Sequence, residues 1–316
     1  MVATGPSVRL VHVGSVLIDI VMYVPHLPER GGDVIATGSQ LVAGGGLNVM
    51  VSAARQGLPT AYGGLHGTGP FGDLTRAALR AGGIEILQPR YHDEDTGYDV
   101  ALVEDSAERT FATHVGAEGR LSSADLARLV VRGTDFVYVS GYGLVHAANG
   151  PALAGWLRGL DPTVTVILDP GPLVAEIPRR ILDPVLDRTD WCSCNQREAR
   201  ALTGTGDPFA AVRSIARLTR AGALVRIGRD GCVLAGPNQA PEEIGGFRVD
   251  AVDSNGAGDA HAGAFLAGLA AGLTPGAAAL RANAAAAIAV TRRGPTSAPD
   301  RCEVDAFLAG HTTTRL

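Results

Sequence analysis

Aromatic and charged residues are scarce in this 316-residue sequence, at 5% and 19%, and a net charge of −5 leaves no basic excess. Sequence-independent binding of nucleic acid needs a basic face that neutralises phosphates, so the composition argues against a nucleic-acid partner. Long apolar runs are also missing. The most apolar window, residues 261–273, is shorter than the roughly 20 residues that span a bilayer, and we expect a buried helix there and no membrane partner.

Cysteine is also sparse, with only four scattered residues, at positions 192, 194, 232 and 302. Such usage favours reduced thiols over a disulfide framework. Cys192 and Cys194 lack two further ligands at finger-like spacing, so we do not expect a zinc site. The first residues show no basic start followed by an apolar core and a cleavage site, and we expect a cytoplasmic protein.

Short apolar runs alternate with helical stretches along most of the chain. The runs are residues 8–16, 60–67, 135–142, 164–170, 191–195, 223–228 and 232–236. Helical patterns lie between them, one closing on Gly57 and another running from Asp73 to Gly82. This alternation predicts an α/β fold with a mostly parallel sheet covered by helices on both faces, a three-layer αβα sandwich.

Two segments, residues 17–42 and 96–116, break this rhythm because apolar and polar residues alternate over short stretches. Such alternation is typical of half-exposed antiparallel strands. We expect the two segments to form a small second sheet that acts as a lid and excludes water from a reaction site.

Residues 67–72, GTGPFG, fit the G-x-G-x-x-G pattern of dinucleotide-binding loops. However, the preceding strand is not the first in the chain, and Pro70 removes a backbone donor where a pyrophosphate would need one. The segment is better interpreted as a tight structural turn or a substrate-side loop.

The glycine run at the start of residues 43–57, AGGGLNVMVSAARQG, leads into a helix with Asn48 in its first turn. Glycines allow a ligand to approach the backbone closely, and the amide of Asn48 offers a donor and an acceptor to hydroxyl groups. A flexible loop with a helix-capping asparagine explains this segment equally well.

Residues 253–265, DSNGAGDAHAGAF, form a loop of small residues that opens onto an apolar helix. Backbone N–H groups and the positive end of the helix dipole converge there, which favours an anion. Asp259 lies in the first turn, where a carboxylate is also an ordinary partner of the helix dipole. Beside an anion hole, however, it could accept the proton of a hydroxyl group that attacks a phosphoryl group.

Together, GGGLN (residues 44–48), DSNGAGD (residues 253–259) and NAAAAIAVTRRGPTSAP (residues 283–299) resemble the ribokinase, or PfkB, family of carbohydrate kinases. Weaker matches, in the same order, include NQREA (residues 195–199) and IGRDGC (residues 227–232). The resemblance implies one ribokinase-like domain over residues 1–316, with the lid formed by residues 17–42 and 96–116. It also implies transfer of the γ-phosphoryl group of ATP to a hydroxymethyl group of a sugar.

The resemblance also implies roles for individual residues. Asp259 is expected to be the general base, with the amides of Gly256, Ala257 and Gly258 as the anion hole. The residues expected to bind sugar are Asp19, Gly44, Gly45 and Asn48. Those expected to bind ATP are Asn195, Gly228, Gly231 and Asn283.

The family's cations are implied as well. Asn195 and Glu198 match an N-x-x-E element that organises Mg²⁺ and its waters, although a helix cap with a nearby acid explains them too. The expected K⁺ ligands are Asp253, Asn255, Ala289, Arg292 and Gly294. In several family members the lid also forms the dimer interface, so we expect a homodimer.

Some positions depart from the family pattern. Leu17 replaces the asparagine of ribokinase proper, and the strand end at residues 139–143 lacks its ribose-binding acid, which argues against ribose. The roles of Met50 and Arg226 stay open at this point: Met50 would fill the core or narrow the site, and Arg226 would contact phosphate or face solvent. His261 is interpreted as a packed or capping histidine.

Few arginines fall in the predicted lid, where Arg109 and His114, in its second segment, could reach a substrate from above. We therefore expect a neutral sugar rather than a sugar acid or sugar phosphate. A nucleoside kinase of the same fold is the alternative, ranked second because aromatic residues are few. A non-catalytic sugar sensor on this scaffold is disfavoured by the intact Asp259 motif.

Overall fold

A computed structural model describes residues 8–106 and 108–312, the last without its side chain. The strands in this part of the chain are β1 (Leu10–His12), β2 (Ile18–Val24), β3 (Gly38–Ala43), β4 (Thr60–Tyr62), β5 (Glu85–Ile86), β6 (Tyr98–Glu104), β7 (Arg109–His114), β8 (Phe136–Ser140), β9 (Thr165–Asp169), β10 (Trp191–Asn195), β11 (Gly222–Arg226), β12 (Gly231–Ala235) and β13 (Glu242–Gly245).

The α-helices in the same residues are α1 (Gly46–Arg55), α2 (Pro70–Ala81), α3 (Ser123–Leu126), α4 (Gly141–Val145), α5 (Asn149–Gly159), α6 (Arg179–Arg188), α7 (Gln196–Thr203), α8 (Pro208–Ala216), α9 (Ala257–Ala270), α10 (Pro275–Val290) and α11 (Arg301–Thr312). The helix predicted over residues 261–273 is α9, and it begins four residues earlier than the apolar window.

The central sheet has nine strands in the order β13-β12-β11-β10-β9-β8-β1-β4-β5. The seven strands β11, β10, β9, β8, β1, β4 and β5 pair in parallel with their neighbours in this order. Strands β12 and β13 are added antiparallel at the β11 edge. Each of the seven predicted apolar runs contains one of these strands, which confirms the mostly parallel sheet. The sequence reading missed β5, which has only two residues, and β13, which is largely exposed.

Side chains of β8 show why this sheet needs helices on both faces. Val137 and Val139 point into a core shared with α5 and α6, whereas Phe136 and Tyr138 point into a core shared with α9 and α10. Full burial of such a side chain contributes roughly 1.5–3 kcal/mol relative to exposure, so both faces must be covered. The expected three-layer αβα sandwich is confirmed.

Met50 lies in a third cluster, between α1 and α2, and is fully buried against Val16, Tyr62 and Leu79. It therefore fills the core and does not narrow the site.

The predicted lid segments form a four-stranded sheet in the order β3-β2-β6-β7. The β2–β3 and β6–β7 pairs are antiparallel, as expected, but β2 and β6 pair in parallel. The expected small sheet with antiparallel strands is present, and the parallel β2–β6 pair was not foreseen because alternation shows which side chains share a face but not in which direction neighbouring strands run. The register places Asp19 directly beside Asp99.

The GTGPFG segment forms the N-terminus of α2, which begins at Pro70 rather than at Asp73. The Asp95 carboxylate accepts hydrogen bonds from the amides of Gly69, Phe71 and Gly72, at 2.7–3.0 Å. Its own chain therefore supplies the anion at this helix end, in agreement with the interpretation as a structural turn.

Within residues 8–106 and 108–312, no helix combines the length and the apolar character that crossing a bilayer requires. All four cysteines are free thiols, and Cys302 is the exposed one.

Candidate active site

The candidate site lies where strands of the central sheet end at their carboxyl edge. β9 ends at Asp169, β10 at Asn195 and β11 at Arg226, and α9 begins beside them at Ala257. Open parallel sheets commonly bind ligands at this edge. The fold therefore brings one acid, one amide and one cation to a single cleft.

Gly256 lies at the N-terminus of α9 with a φ of 75°, and a side chain there would also overlap the carbonyl oxygen of Pro295. Both constraints require glycine. The resulting turn leads the amides of Gly256, Ala257 and Gly258 into the first turn of a 14-residue helix. This arrangement has the positive potential that an anion hole requires.

Asp259 lies in that first turn, close to Asp169 and Arg226 at the strand ends and to Asn48 on α1. Burial and the nearby charge of Asp169 raise the pKa of Asp259 to about 7, while Arg226 and a hydrogen bond from the side chain of Asn48 act in the opposite direction. A carboxylate with a pKa close to neutral is suited to accept a proton and to release it again. The electrostatics therefore favour a general base over an ordinary helix-dipole partner.

Arg226 points into the cleft rather than to solvent, which excludes one of the two alternatives left open by the sequence. Its Nη1 donates to Ser193 Oγ at 2.7 Å, and its Nη2 lies 3.5 Å from Asp169 and 3.6 Å from Glu198. The guanidinium also packs against Gly258 of the anion loop. Because the sequence contains no lysine, every permanently charged cation near the cleft is an arginine.

Asn195 and Glu198 form a reciprocal cap at the start of α7. Asn195 Oδ1 accepts from the Glu198 amide at 2.9 Å, and Glu198 Oε2 accepts from the Asn195 amide at 2.8 Å. Burial, together with the charge of Asp169, nevertheless raises the pKa of Glu198. A divalent cation would relieve this crowding of negative charge, so the residues present fit Mg²⁺ held through waters and phosphate oxygens. The described residues contain no cluster of three or more His, Cys, Asp or Glu side chains that could hold a metal by themselves.

A cavity of about 500 Å³ extends from the anion loop between β12, β13 and α10. All four residues expected to bind ATP line it: Asn195, Gly228, Gly231 and Asn283. Its apolar wall was not foreseen and consists of Phe247, Val249, Ala286, Ala287 and Val290. This size and lining suit a nucleotide.

The Asn283 side chain lies at the cavity wall, but protein groups occupy it. Its amide donates to the carbonyls of Ile244 and Gly245, and its Oδ1 lies 3.1 Å from Nε2 of His261. Burial lowers the pKa of His261 to about 3, so this histidine is neutral. His261 is a packed residue, as its surroundings in the sequence indicate.

The lid contributes Asp19, whose carboxylate packs so closely on Gly44 that a side chain at position 44 would overlap it. Burial and the adjacent carboxylate of Asp99 raise the pKa of Asp19 to about 7. Asn48, in the first turn of α1, is buried and connects this side to Asp259. Gly45 completes the loop with a φ of 62°. The structure thus brings all four expected sugar-binding residues to one side of Asp259.

The residues expected to bind K⁺ also lie together, where residues 253–256 meet the end of α10. Asp253 accepts hydrogen bonds from the amides of Asn255 and Gly294 and from the Arg109 guanidinium, at 2.8–3.1 Å. Burial opposes these bonds, but together they lower the pKa of Asp253. Arg109 therefore ties the lid to the loop of residues 253–256, and its guanidinium is already bound to a carboxylate of the protein.

Two further members of this loop are already engaged. The Ala289 carbonyl accepts from the amide of Arg292 at 3.0 Å and from Ser297 Oγ at 3.2 Å. The Arg292 side chain points away, to Glu303. Of the expected K⁺ ligands, the Ala289 carbonyl and the Asp253 carboxylate therefore already accept hydrogen bonds from the protein.

Three residues near the cleft escaped the sequence interpretation, Asp99, Tyr142 and Asp169, and so did Phe111, an exposed residue on the Asp19 face of the lid. Asp169 ends the apolar run VILD at the carboxyl edge, a position that could have identified it. Partial burial and the charges of Asp169, Glu198, Asp259 and Asp99 raise the pKa of Tyr142, which places this tyrosine over the cleft. Asp99 and Phe111 occur in alternating strands, where sequence alone does not show which face meets the site.

Comparisons with known proteins agree with this geometry. Residues 8–301 match the family model of the pfkB family carbohydrate kinases. The chain is 34% identical over 300 residues to an uncharacterized sugar kinase of Escherichia coli K12, YegV, covering 92% of this chain and 91% of that protein. It is 30% identical over 308 residues to an ATP-dependent ribose-1-phosphate kinase of Halopiger xanaduensis, covering 96% of this chain and 98% of the other.

Among solved structures, an Arabidopsis thaliana ribokinase complexed with ribose and ATP superposes with a TM-score of 0.77 at 26% identity. The match covers 96% of this chain and 99% of that one. With the family model spanning nearly its whole length, this chain belongs to the pfkB family of carbohydrate kinases.

Proposed function

We propose that this protein transfers the γ-phosphoryl group of ATP to a hydroxymethyl group of a neutral sugar. The observation that carries the proposal is the position of Asp259, in the first turn of α9, with its pKa raised to about 7. On one side of it lie the buried hydroxyl-binding groups of the lid and α1. On the other lie Arg226 and a nucleotide-sized cavity.

In the proposed reaction, Asp259 takes the proton from the sugar hydroxyl as its oxygen attacks the γ-phosphorus. The bond between that phosphorus and the β–γ bridging oxygen breaks, and ADP leaves with the electron pair. The amides of Gly256, Ala257 and Gly258, with Arg226, hold the charge on the transferred phosphoryl oxygens. Phosphoryl transfer needs mainly such positioning and charge stabilisation.

Mg²⁺, when bound, neutralises charge on the β- and γ-phosphate oxygens. We propose that Asn195 and Glu198 hold its waters, and that Asp169 lies close enough to assist. Gly228 and Gly231 would follow the phosphates and ribose of ATP, and Asn283 would shape the wall near the adenine.

Asp19, Gly44, Gly45 and Asn48 form the proposed sugar site. Arg109, on the lid, is bound to Asp253, and Arg226 is bound to Asp169 and Glu198. Arg229 and Arg248 line the nucleotide cavity. On the sugar side, a second anionic group on the substrate would therefore meet the carboxylates of Asp19 and Asp99. The Halopiger relative is named for a phosphorylated sugar, whereas the charges of this site favour an uncharged one.

A nucleoside kinase is the second candidate, and two exposed aromatic side chains favour it. Phe111 is 56% exposed on the Asp19 face of the lid, and Tyr142 is 49% exposed over the cleft. Such rings could stack on a nucleobase.

We further propose a single kinase domain over residues 1–316, with residues 17–42 and 96–116 as its lid, working in the cytoplasm. K⁺ would stimulate the enzyme by binding among Asp253, Asn255, Ala289, Arg292 and Gly294, in competition with Arg109. A homodimer would form through the lid face opposite Asp19, where Leu41 is 57% exposed. Sedimentation velocity of the wild type against Leu41→Glu tests the dimer, which the charged residue should dissociate.

The test of function is ADP release from ATP and Mg²⁺ with a panel of free pentoses, ketohexoses and nucleosides. Phosphorylation of a free sugar is the expected result, and turnover of nucleosides alone would favour the second candidate. Sugar binding by calorimetry without ADP release from any acceptor would contradict catalysis and indicate a sensor.

A further inference from the structure

Asp99 lies at the centre of the lid, on β6, and no role has yet been given to it. It is the register partner of Asp19 on the neighbouring strand, so the two side chains project from the same face of the sheet. The carboxyl groups are close enough to share a hydrogen bond. A ligand that contacts Asp19 on this face therefore also lies close to Asp99.

Asp99 is only 9% exposed, and its Oδ1 has no hydrogen-bond partner among the described residues. Asn48, across the site, is 7% exposed, and its Oδ1 also lacks a partner there. Leaving a buried acceptor unpaired is costly, and proteins rarely tolerate it without a reason. Two such oxygens, one on the lid strand β6 and one on α1, indicate a ligand that brings hydrogen-bond donors.

The surrounding charges restrict which donors these are. Burial raises the pKa of both carboxyl groups, and the neighbouring charge of Asp99 raises that of Asp19 further, whereas the hydrogen bond with Asp19 acts to lower that of Asp99. Arg109 lies on the same face, four register positions along, but it is bound to Asp253. Adjacent strands are about 4.8 Å apart, and carboxyl groups that converge from them can bind two hydroxyls on neighbouring carbons.

We infer that Asp99 is a specificity-determining residue that, together with Asp19, binds a pair of neighbouring hydroxyl groups on the acceptor, other than the hydroxyl that is phosphorylated. The inference rests on the proposed kinase function. It also defines the acceptor class more narrowly, as a neutral polyol with a vicinal diol.

The test uses the acceptor with the highest turnover in the panel above, together with its monodeoxy derivatives. Hydrogen bonds to charged groups are worth about 1.5–3 kcal/mol, so Asp99→Ala should lower kcat/KM for the parent acceptor about 10- to 100-fold, mainly through KM. KM for ATP should change less than about two-fold. The monodeoxy derivative that lacks the hydroxyl bound by Asp99 should be a poor acceptor for the wild type. Because that hydrogen bond is already absent, Asp99→Ala should lower kcat/KM for this derivative by less than about three-fold.

Glu104→Ala is the matched control, because Glu104 lies on the same strand but on the opposite face. It should stay within about two-fold of the wild type. Asp99→Asn keeps the shape and one acceptor oxygen, so it covers the case in which the alanine variant misfolds, and it should lose less activity than the alanine variant.

The assignment of Asp99 would be overturned if either folded variant kept the wild-type ratios of kcat/KM between the parent acceptor and its deoxy derivatives. So would a kcat/KM for the parent acceptor within about two-fold of the wild type. Absence of any phosphorylated acceptor for the wild type would instead overturn the proposed kinase function, and this inference with it.

Discussion

The two sides of the cleft differ in how completely their polar groups are paired. On the phosphate side, Arg226 contacts Ser193, Asp169 and Glu198. On the sugar side, buried oxygens of Asp99 and Asn48 have no partner in the described residues. The charged groups around Arg226 are thus organised before any ligand arrives, as suits a co-substrate that is the same in every cycle, although Nδ1 of His261, in the wall of the nucleotide cavity, also lacks a partner in the described residues. The sugar side leaves hydrogen bonds for the acceptor to complete, and specificity arises where such bonds are missed.

Removing the group between the two sides should have the largest effect. Asp259→Asn keeps the shape of the side chain but cannot accept the proton, and general base catalysis is typically worth about 10² to 10⁴ in rate. We expect kcat to fall by that factor while ATP and sugar still bind, as measured by steady-state ADP release and calorimetry. Asp250→Asn, in an exposed loop nearby, is the control. A variant with more than about a tenth of the wild-type kcat would contradict the assignment of the base.

The pairing on the phosphate side can be broken at Arg226. Arg226→Met removes the charge beside Gly258 and leaves Asp169 and Glu198 without their cation, so kcat/KM for ATP should fall about 10- to 100-fold. Arg226→Lys should recover only part of this, because an ammonium cannot reproduce the contacts of the guanidinium. Arg213→Met, at an exposed position on α8, is the control. If Arg226→Met instead raised the KM for the sugar about 10- to 100-fold and left kcat/KM for ATP unchanged, the assignment of Arg226 to the phosphate side would be wrong.

Protonation of Asp259 connects the two sides and predicts a pH dependence. Because the pKa of this carboxyl is raised to about 7, the base is protonated below that pH and activity should rise through it. We expect kcat/KM to drop about ten-fold for each pH unit below 6. Asn48→Ala removes a hydrogen bond that lowers this pKa, so its profile should shift to higher pH. A profile that stays flat down to pH 5 would show that Asp259 has an ordinary pKa.

The smallest effect concerns the link between lid and cation loop. Arg109→Met removes the ion pair with Asp253 and frees that carboxylate for a monovalent cation. Partly exposed ion pairs are worth up to about 1 kcal/mol, so the K⁺ concentration for half-maximal stimulation should fall up to about five-fold. Arg120→Met removes a surface pair with Glu94 as the control. The same K⁺ concentration for half-maximal stimulation in both variants would show that the Arg109 ion pair does not compete with K⁺ binding.

The comparison of the two sides also explains what the sequence could predict. The phosphate side depends on local patterns: strands that end at Asn195 and Arg226, and a small-residue turn that opens α9. Such features can be read from neighbouring residues. Asp99 depends instead on the pairing of β2 with β6, about 80 positions apart, and on which face of the lid meets the site. Within its own strand it resembles an ordinary solvent-facing polar residue, so the role proposed for it could be inferred only from the tertiary register.

Asp95 has a consequence for how movement of the lid can be followed. Its carboxylate binds the amides of Gly69, Phe71 and Gly72 and of its own neighbour Thr96, two residues before β6 begins. These amides exchange their hydrogens with solvent only when this junction opens. The rate at which these amides take up deuterium therefore reports how often β6 detaches from α2. Mass spectrometry can measure this rate without a label in the site.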